Sequence, residues 1–159
     1  MSVPVPQIFK VFSLHRYFAW CAEMREHYQE VGMQVSPPPS FFENENAGRA
    51  FMYLSYWYAG LHVVCEGWDE LKLSDPEIDT LLKFPHREKL KRFRHGVYHY
   101  QADYFDQRFM GALVAGKDFA DWAESLMIAF ARYFDAWIKS QMAAVSAVAA
   151  SAELPEPCD

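Results

Sequence analysis

The densest chemistry in the chain lies in Leu90-Lys91-Arg92-Phe93-Arg94-His95-Gly96-Val97-Tyr98-His99-Tyr100. Arg can hold a phosphate through two parallel hydrogen bonds, and His exchanges protons near neutral pH or ligates a metal. On a continuous helix, His95 and His99 fall one turn apart on the same side, with Arg92 one turn before His95. Arg94 points elsewhere unless the helix breaks near Gly96. Phe93, Val97 and Tyr100 then form the packing side. Such a segment suits RNA cleavage. Imidazole takes the proton of a 2′-hydroxyl or returns one to the leaving oxygen, while guanidinium stabilises the charge that develops on the phosphate.

A second polar group sits in an unusual setting. The run FMYLSYWYAGLHVVCEGWDEL, from Phe51 to Leu71, is apolar almost all round and predicts a helix at the centre of a bundle. Its few polar residues, Ser55, His62, Glu66 and Asp69, fall on one narrow stripe by helical spacing. Buried polar groups need partners. They either bond within the bundle or face the Arg/His segment.

The elements that must position these residues are also helical. Apolar residues from Ile8 to about Val31 recur every three or four positions, with Phe9, Phe12, Tyr17 or Phe18, Cys21, Met24 and Tyr28 inward and Gly32 as the stop. Ser36-Pro37-Pro38-Pro39-Ser40 makes a stiff connection, and Asn44 or Asn46 caps the central helix. Ser74-Asp75-Pro76-Glu77 reads as another helix start, and Pro85 separates that short helix from the one beginning at His86. Ala102 to Val114 reads as helix, with Tyr104, Phe105, Phe109 and Leu113 inward. Asp118 caps a last helix with Phe119, Trp122, Leu126, Ala129 or Phe130, Tyr133 and Trp137 on its apolar side. No sustained two-residue alternation predicts a strand. The expected fold is an all-α bundle of about five helices. Residues 1–141 form one domain, and residues 142–159 form an Ala-rich helix extension and a disordered tail.

At 159 residues, 52% apolar and 17% aromatic, the chain can bury a sizeable core rich in rings. A net charge of −6 argues against a basic nucleic-acid coat protein but leaves room for a local basic groove. Cys21, Cys65 and Cys158 form no CxxC pair and fit a reduced, cytoplasmic chain. Neither a signal peptide nor a membrane span is expected.

Arg94-His95-Gly96-Val97-Tyr98-His99 resembles the signature of HEPN domains, an Arg followed after four to six residues by a His, often written RNxxxH. The resemblance extends to the Glu66-Gly67-Trp68 stretch, the short helix after it and the all-helical pattern, and so covers about residues 45 to 140. It implies a HEPN-like helical bundle. It also implies a metal-independent endoribonuclease of toxin or defence type, working as a homodimer whose two motifs line one groove, without cofactor. The high aromatic content also favours a homodimer. By position, Arg94 and His99 match the motif's Arg and His, and His95 stands where the family usually has Asn or another polar residue. Glu66 or His62 would support the site from the preceding helix. RNA is then the substrate, and an antitoxin protein is an allowed partner.

Two other readings compete. In one the chain is a non-catalytic dimerisation or interaction module, with Arg94 paired to Glu66 or Asp69 and His99 closing a hydrogen bond. In the other, His95 and His99 join His62 and Glu66 as four ligands from two helices; Arg92 and Arg94 would repel that cation.

Overall fold

The computed structural model describes residues 6–32 and 45–152, the side chains of 148–152 excepted. The Pro-rich connection, Asn44, Cys158 and the C-terminal tail lie outside the described residues. Among those described, the chain is all-α with no strand. Six helices follow in order, in keeping with the expected bundle of about five: α1 (Gln7–Gly32), α2 (Glu45–Glu70), α3 (Pro76–Leu81), α4 (His86–Tyr98), α5 (Gln107–Val114) and α6 (Gly116–Ala152). No helix is long and apolar enough to cross a membrane.

As its composition requires, α2 is the central element. Leu54, Trp57, Tyr58, Leu61, Val64, Cys65 and Trp68 are buried on one side, Ser55, Ala59 and His62 on the adjoining one, and Met52, Tyr56 and Glu66 stay exposed. Helix α1 packs along one side at short range. A methyl group on Gly60 would lie 3.3 Å from Cys21 Cβ, and one on Gly67 would overlap the Leu14 side chain. These glycines form a shallow groove for α1. Helix α6 closes another side through rings: Trp68 meets Phe130 and Tyr133 edge-on at 5.5 and 4.7 Å, and Tyr58 meets Phe119 at 5.1 Å. Edge-to-face contacts of this kind are favoured by the ring quadrupole. The Arg25–Glu124 ion pair at 2.6 Å ties α1 to α6 at the rim.

The groove sets the rotation of α1 and overturns part of its expected apolar stripe. The buried residues are Val11, Leu14, Phe18 and Cys21, whereas Phe9 is 61% exposed and Phe12 and Tyr17 are also exposed. Small and branched side chains fit against the glycines; large rings do not. His15 meets Phe134 of α6 edge-on at 5.4 Å.

Caps fix the shorter helices. The Asp75 carboxylate accepts hydrogen bonds from the amides of Glu77 and Ile78 and from Arg132 of α6 at 2.6 Å, with Pro76 in the first turn. Burial pushes the Asp75 carboxyl upward, but these donors outweigh it and hold the group below its ordinary value. The Trp68 indole N–H donates to Asp79 at 3.0 Å, and that of Trp122 donates to the Leu81 carbonyl at 2.9 Å.

The helix expected from Ala102 begins only at Gln107. Two aspartates explain the delay. Asp103 Oδ1 accepts from the Phe105 amide at 2.9 Å, and Asp106 Oδ1 from the Arg108 amide at 2.8 Å. These turns compete with helical bonds, so Tyr104 and Phe105, expected inward, stand exposed on a loop. Gly116, at φ +60°, makes the left-handed joint between α5 and α6. Asp118 is not the cap; it lies in the first turn of α6 and receives His86 Nε2 at 2.8 Å. Helix α6 then runs unbroken through the Ala-rich stretch to Ala152, with Met142 to Ala147 exposed.

Gly60→Val should force α1 away from α2, since its Cβ alone would lie 3.3 Å from Cys21 Cβ and two methyl groups extend beyond it. The expected cost is about 1–3 kcal/mol, seen as a drop of several degrees in Tm by circular dichroism, with helix content retained.

Candidate functional site

Helix α4 carries the Arg/His segment. Its sequence places Arg87, Lys89, Lys91, Arg92 and Arg94 against a lone acid, Glu88. A strongly cationic helix therefore sits in an acidic chain. Leu90, Phe93 and Gly96 turn inward and fix its rotation. By helical register two polar stripes remain: Arg87, Lys91, Arg94 and Tyr98 on one, and Glu88, Arg92, His95 and His99 on the other.

Gly96 does not interrupt the helix. It is buried because α5 crosses there, and a methyl group on it would lie 3.1 Å from Phe109 Cζ. The helix ends at Tyr98, and His99 follows as the extended C-cap, its amide donating to the His95 carbonyl at 3.1 Å. The His95 and His99 rings stack with centroids 5.8 Å apart and planes within 17°. Both are exposed. Arg92, also exposed, shares their stripe.

Arg94 is placed differently. It is half-buried, its guanidinium lies 5.7 Å from the centre of the Tyr98 ring, and its Nε is buried without a hydrogen-bond partner. Among the described residues no hydrogen bond, ion pair or ring contact joins Arg94 to His99. Nor does Arg94 pair with an acid; Asp69 is taken by Arg87.

The polar stripe of α2 divides. Ser55 and His62 are buried, while Glu66 and Asp69 are exposed. His62 is only 3% exposed. Its Nε2 lies 3.4 Å from Glu66 Oε1, yet neither ring nitrogen has a protein partner in hydrogen-bond geometry. The ring opens on a cavity of about 390 Å³ lined by Glu66, Leu82, Phe84, Arg87, Glu88 and Lys91. Burial lowers the His62 pKa; Glu66 opposes the shift, and Arg94, Arg87 and Lys91 reinforce it.

The six expected site residues thus form two groups. His95 and His99 come together, with Arg92 on their stripe. His62 and Glu66 come together, with Arg94 near enough to influence His62. The four-ligand metal arrangement is not assembled, and among the described residues no three His, Cys, Asp or Glu side chains gather as a metal set. Cys21 and Cys65 are free and buried; burial raises both thiols, Cys65 to about 12, and suits neither to nucleophilic attack. His86 was assigned only a helix start, yet it is buried among Phe84, Phe119 and Trp122. Nothing local in the sequence links it to Asp118.

Comparisons with family models, with curated proteins and with solved structures find no match for this chain. Side-chain chemistry and geometry therefore carry the functional reading.

His62 has a consequence for pH. Because its folded pKa is lowered, the unfolded chain binds the proton more readily. The associated stability is complete above the ordinary imidazole value of 6.5 and is lost as the pH falls below it toward the lowered value. Denaturant unfolding on either side of pH 6.5 should show this acid-side decline, and His62→Gln should flatten it relative to wild type.

Proposed function

We propose that this chain is a metal-independent endoribonuclease of the HEPN type, with toxin or defence as its role, acting as a cytoplasmic homodimer. The observation that carries the reading is the exposed, stacked His95–His99 pair on a cationic helix, with Arg92 on the same stripe. Helix α4 supplies charge that attracts a phosphate backbone within an otherwise acidic chain.

Two adjacent imidazoles suit transesterification of RNA. One, neutral, removes the proton of a 2′-hydroxyl as that oxygen forms a bond to phosphorus. The other, protonated, gives its proton to the 5′-oxygen as the old P–O bond breaks. The products are a 2′,3′-cyclic phosphate and a 5′-hydroxyl, and the histidines exchange protonation states. Arg92 or Arg94 stabilises the negative charge on the non-bridging oxygens. His62, which Arg94 influences electrostatically from α4, and Glu66 would support that arginine from α2 once RNA is bound. RNA is the substrate, and a toxin of this kind would be held in check by an antitoxin protein.

A second reading has an observation in its favour. Arg94, the arginine that matches the motif, lies over Tyr98 and not beside His99. Exposed rings of Tyr17, Trp20 and Tyr56 surround a nearby cavity of about 360 Å³ that Tyr98 also lines. Both features suit a non-catalytic interaction module.

RNA cleavage in excess EDTA separates the two. His99→Ala and His95→Ala should each lower kcat by roughly a hundredfold or more, with Tm shifted by no more than about 2 °C because both rings are exposed. Product 3′ ends should carry cyclic phosphate. Absence of wild-type cleavage on structured and unstructured RNAs, with RNA-independent dimerisation, would support the interaction module. Comparing Arg92→Ala with Arg94→Ala identifies the guanidinium that serves the phosphate.

A further inference from the structure

Beyond Tyr98 the chain crosses from α4 to α5 on a loop whose rings turn outward. Tyr100 is 93% exposed and Phe105 60%. The loop is nonetheless held in shape. Asp103 and Asp106 fix its turns. Gln101 donates to the His99 carbonyl and accepts from Arg108. Between this loop, α4 and α5 lies a cavity of about 460 Å³, its wall including Gly96, His99, Tyr100, Phe105 and Phe109.

Two features tie the cavity to the histidine pair. His99 belongs to both: it stacks on His95 and it lines the cavity. Gly96 admits the Phe109 ring against α4, where any side chain would meet it at 3.1 Å. Phe109 is braced edge-on by Phe93 at 5.4 Å and Phe51 at 5.9 Å, which gives the cavity a fixed aromatic wall.

We propose that this cavity is a subsite for one unpaired nucleobase of single-stranded RNA, the base adjoining the phosphate handled at His95 and His99. The proposal rests on the ribonuclease reading and adds its substrate class. The cavity lies toward the small end of ligand sites, with room for a flat ring system, and aromatic side chains form much of its wall. Every base has a π-face, and proteins that select unpaired RNA seat splayed bases on such rings. Among the described residues, the one formally charged side chain of the wall is Asp103, suited to accept from a base N–H, while the phosphate backbone would be met outside the cavity by the cations of α4. A paired base cannot enter, so duplex RNA is excluded.

The test is binding of a 2′-O-methyl oligoribonucleotide, which cannot be cleaved, to the full chain by fluorescence anisotropy, run beside the cleavage assay. Phe105→Ala and Tyr100→Ala should each raise Kd by roughly fivefold to a hundredfold. An abasic site in the oligonucleotide should weaken wild-type binding similarly and erase the difference between wild type and Phe105→Ala. Because Tyr100 is 93% exposed, its variant keeps the test open if Phe105→Ala alters the fold. Cleavage by wild type with unchanged Kd in both variants and with abasic RNA would overturn the subsite and leave the ribonuclease reading standing. Base-dependent binding lost in the variants, without cleavage by wild type, would keep the subsite and remove the nuclease. Equal affinity for duplex RNA, or displacement of no RNA by a mononucleotide where a hydrophobic dye is displaced, would overturn the nucleobase assignment.

Discussion

Burial of the apolar side of α2, with the face of Met52, Tyr56, Glu66 and Glu70 left to solvent, is the constraint from which the rest of the structure follows. A helix carrying Trp57, Tyr58, Leu61, Val64 and Trp68 on one side cannot leave that side in water at low cost. Its neighbours are therefore arranged about it, α1 in the glycine groove, α6 through aromatic contacts and α4 on a further side. The same burial encloses His62. An imidazole in that position is held neutral by desolvation and by the cations of α4, and its charge state is coupled to folding.

Helix α4 shows how one element can serve both packing and chemistry. Leu90, Phe93 and Gly96 commit one side to the core, which leaves the cationic residues no choice but the surface. Concentrating cations there costs little, because water screens them and Asp69 neutralises Arg87. The helix end matters equally. His99 leaves the helix as an extended residue, which lets its ring stack on His95 and also face the loop cavity. Had the next helix begun at Ala102, as periodicity suggests, Tyr104 and Phe105 would have been drawn into a regular turn and the cavity wall lost.

The aromatic richness of the chain has two separable uses. Trp68, Phe119, Phe130 and Phe134 form the interior, where edge-to-face geometry fixes how α6 lies on α2. Trp20, Tyr98, Tyr100, Tyr104 and Phe105 remain open to solvent. Large open rings are costly to maintain without a partner and concentrate where a surface binds something. Of these rings, Tyr100, Tyr104 and Phe105 line the same cavity as His99.

Local pattern was enough for much of this. The all-α class, the enclosed α2, the Asp75 cap, the break at Pro85, the start of α4 at His86 and the apolar side of α6 each depend on residues a few positions apart. Those interactions survive whatever the rest of the chain does. The one-turn spacing of His95 and His99 was legible for the same reason. Packing decided what depended on distant partners. The groove at Gly60 and Gly67 turned Phe9 and Phe12 of α1 outward against the apparent stripe and chose Phe18 over Tyr17 for the inside. Asp118 turned from cap to partner of His86, and aspartate-stabilised turns unwound the expected start of α5. Arg94 settled over Tyr98, away from His99, because α4 stays helical through Gly96. A glycine can bend a helix or admit a neighbour, and only the arrival of Phe109 against α4 selects the second. Spacing along a chain sets which side of a helix a residue occupies; which helix that side meets is fixed by shape complementarity between segments far apart in sequence.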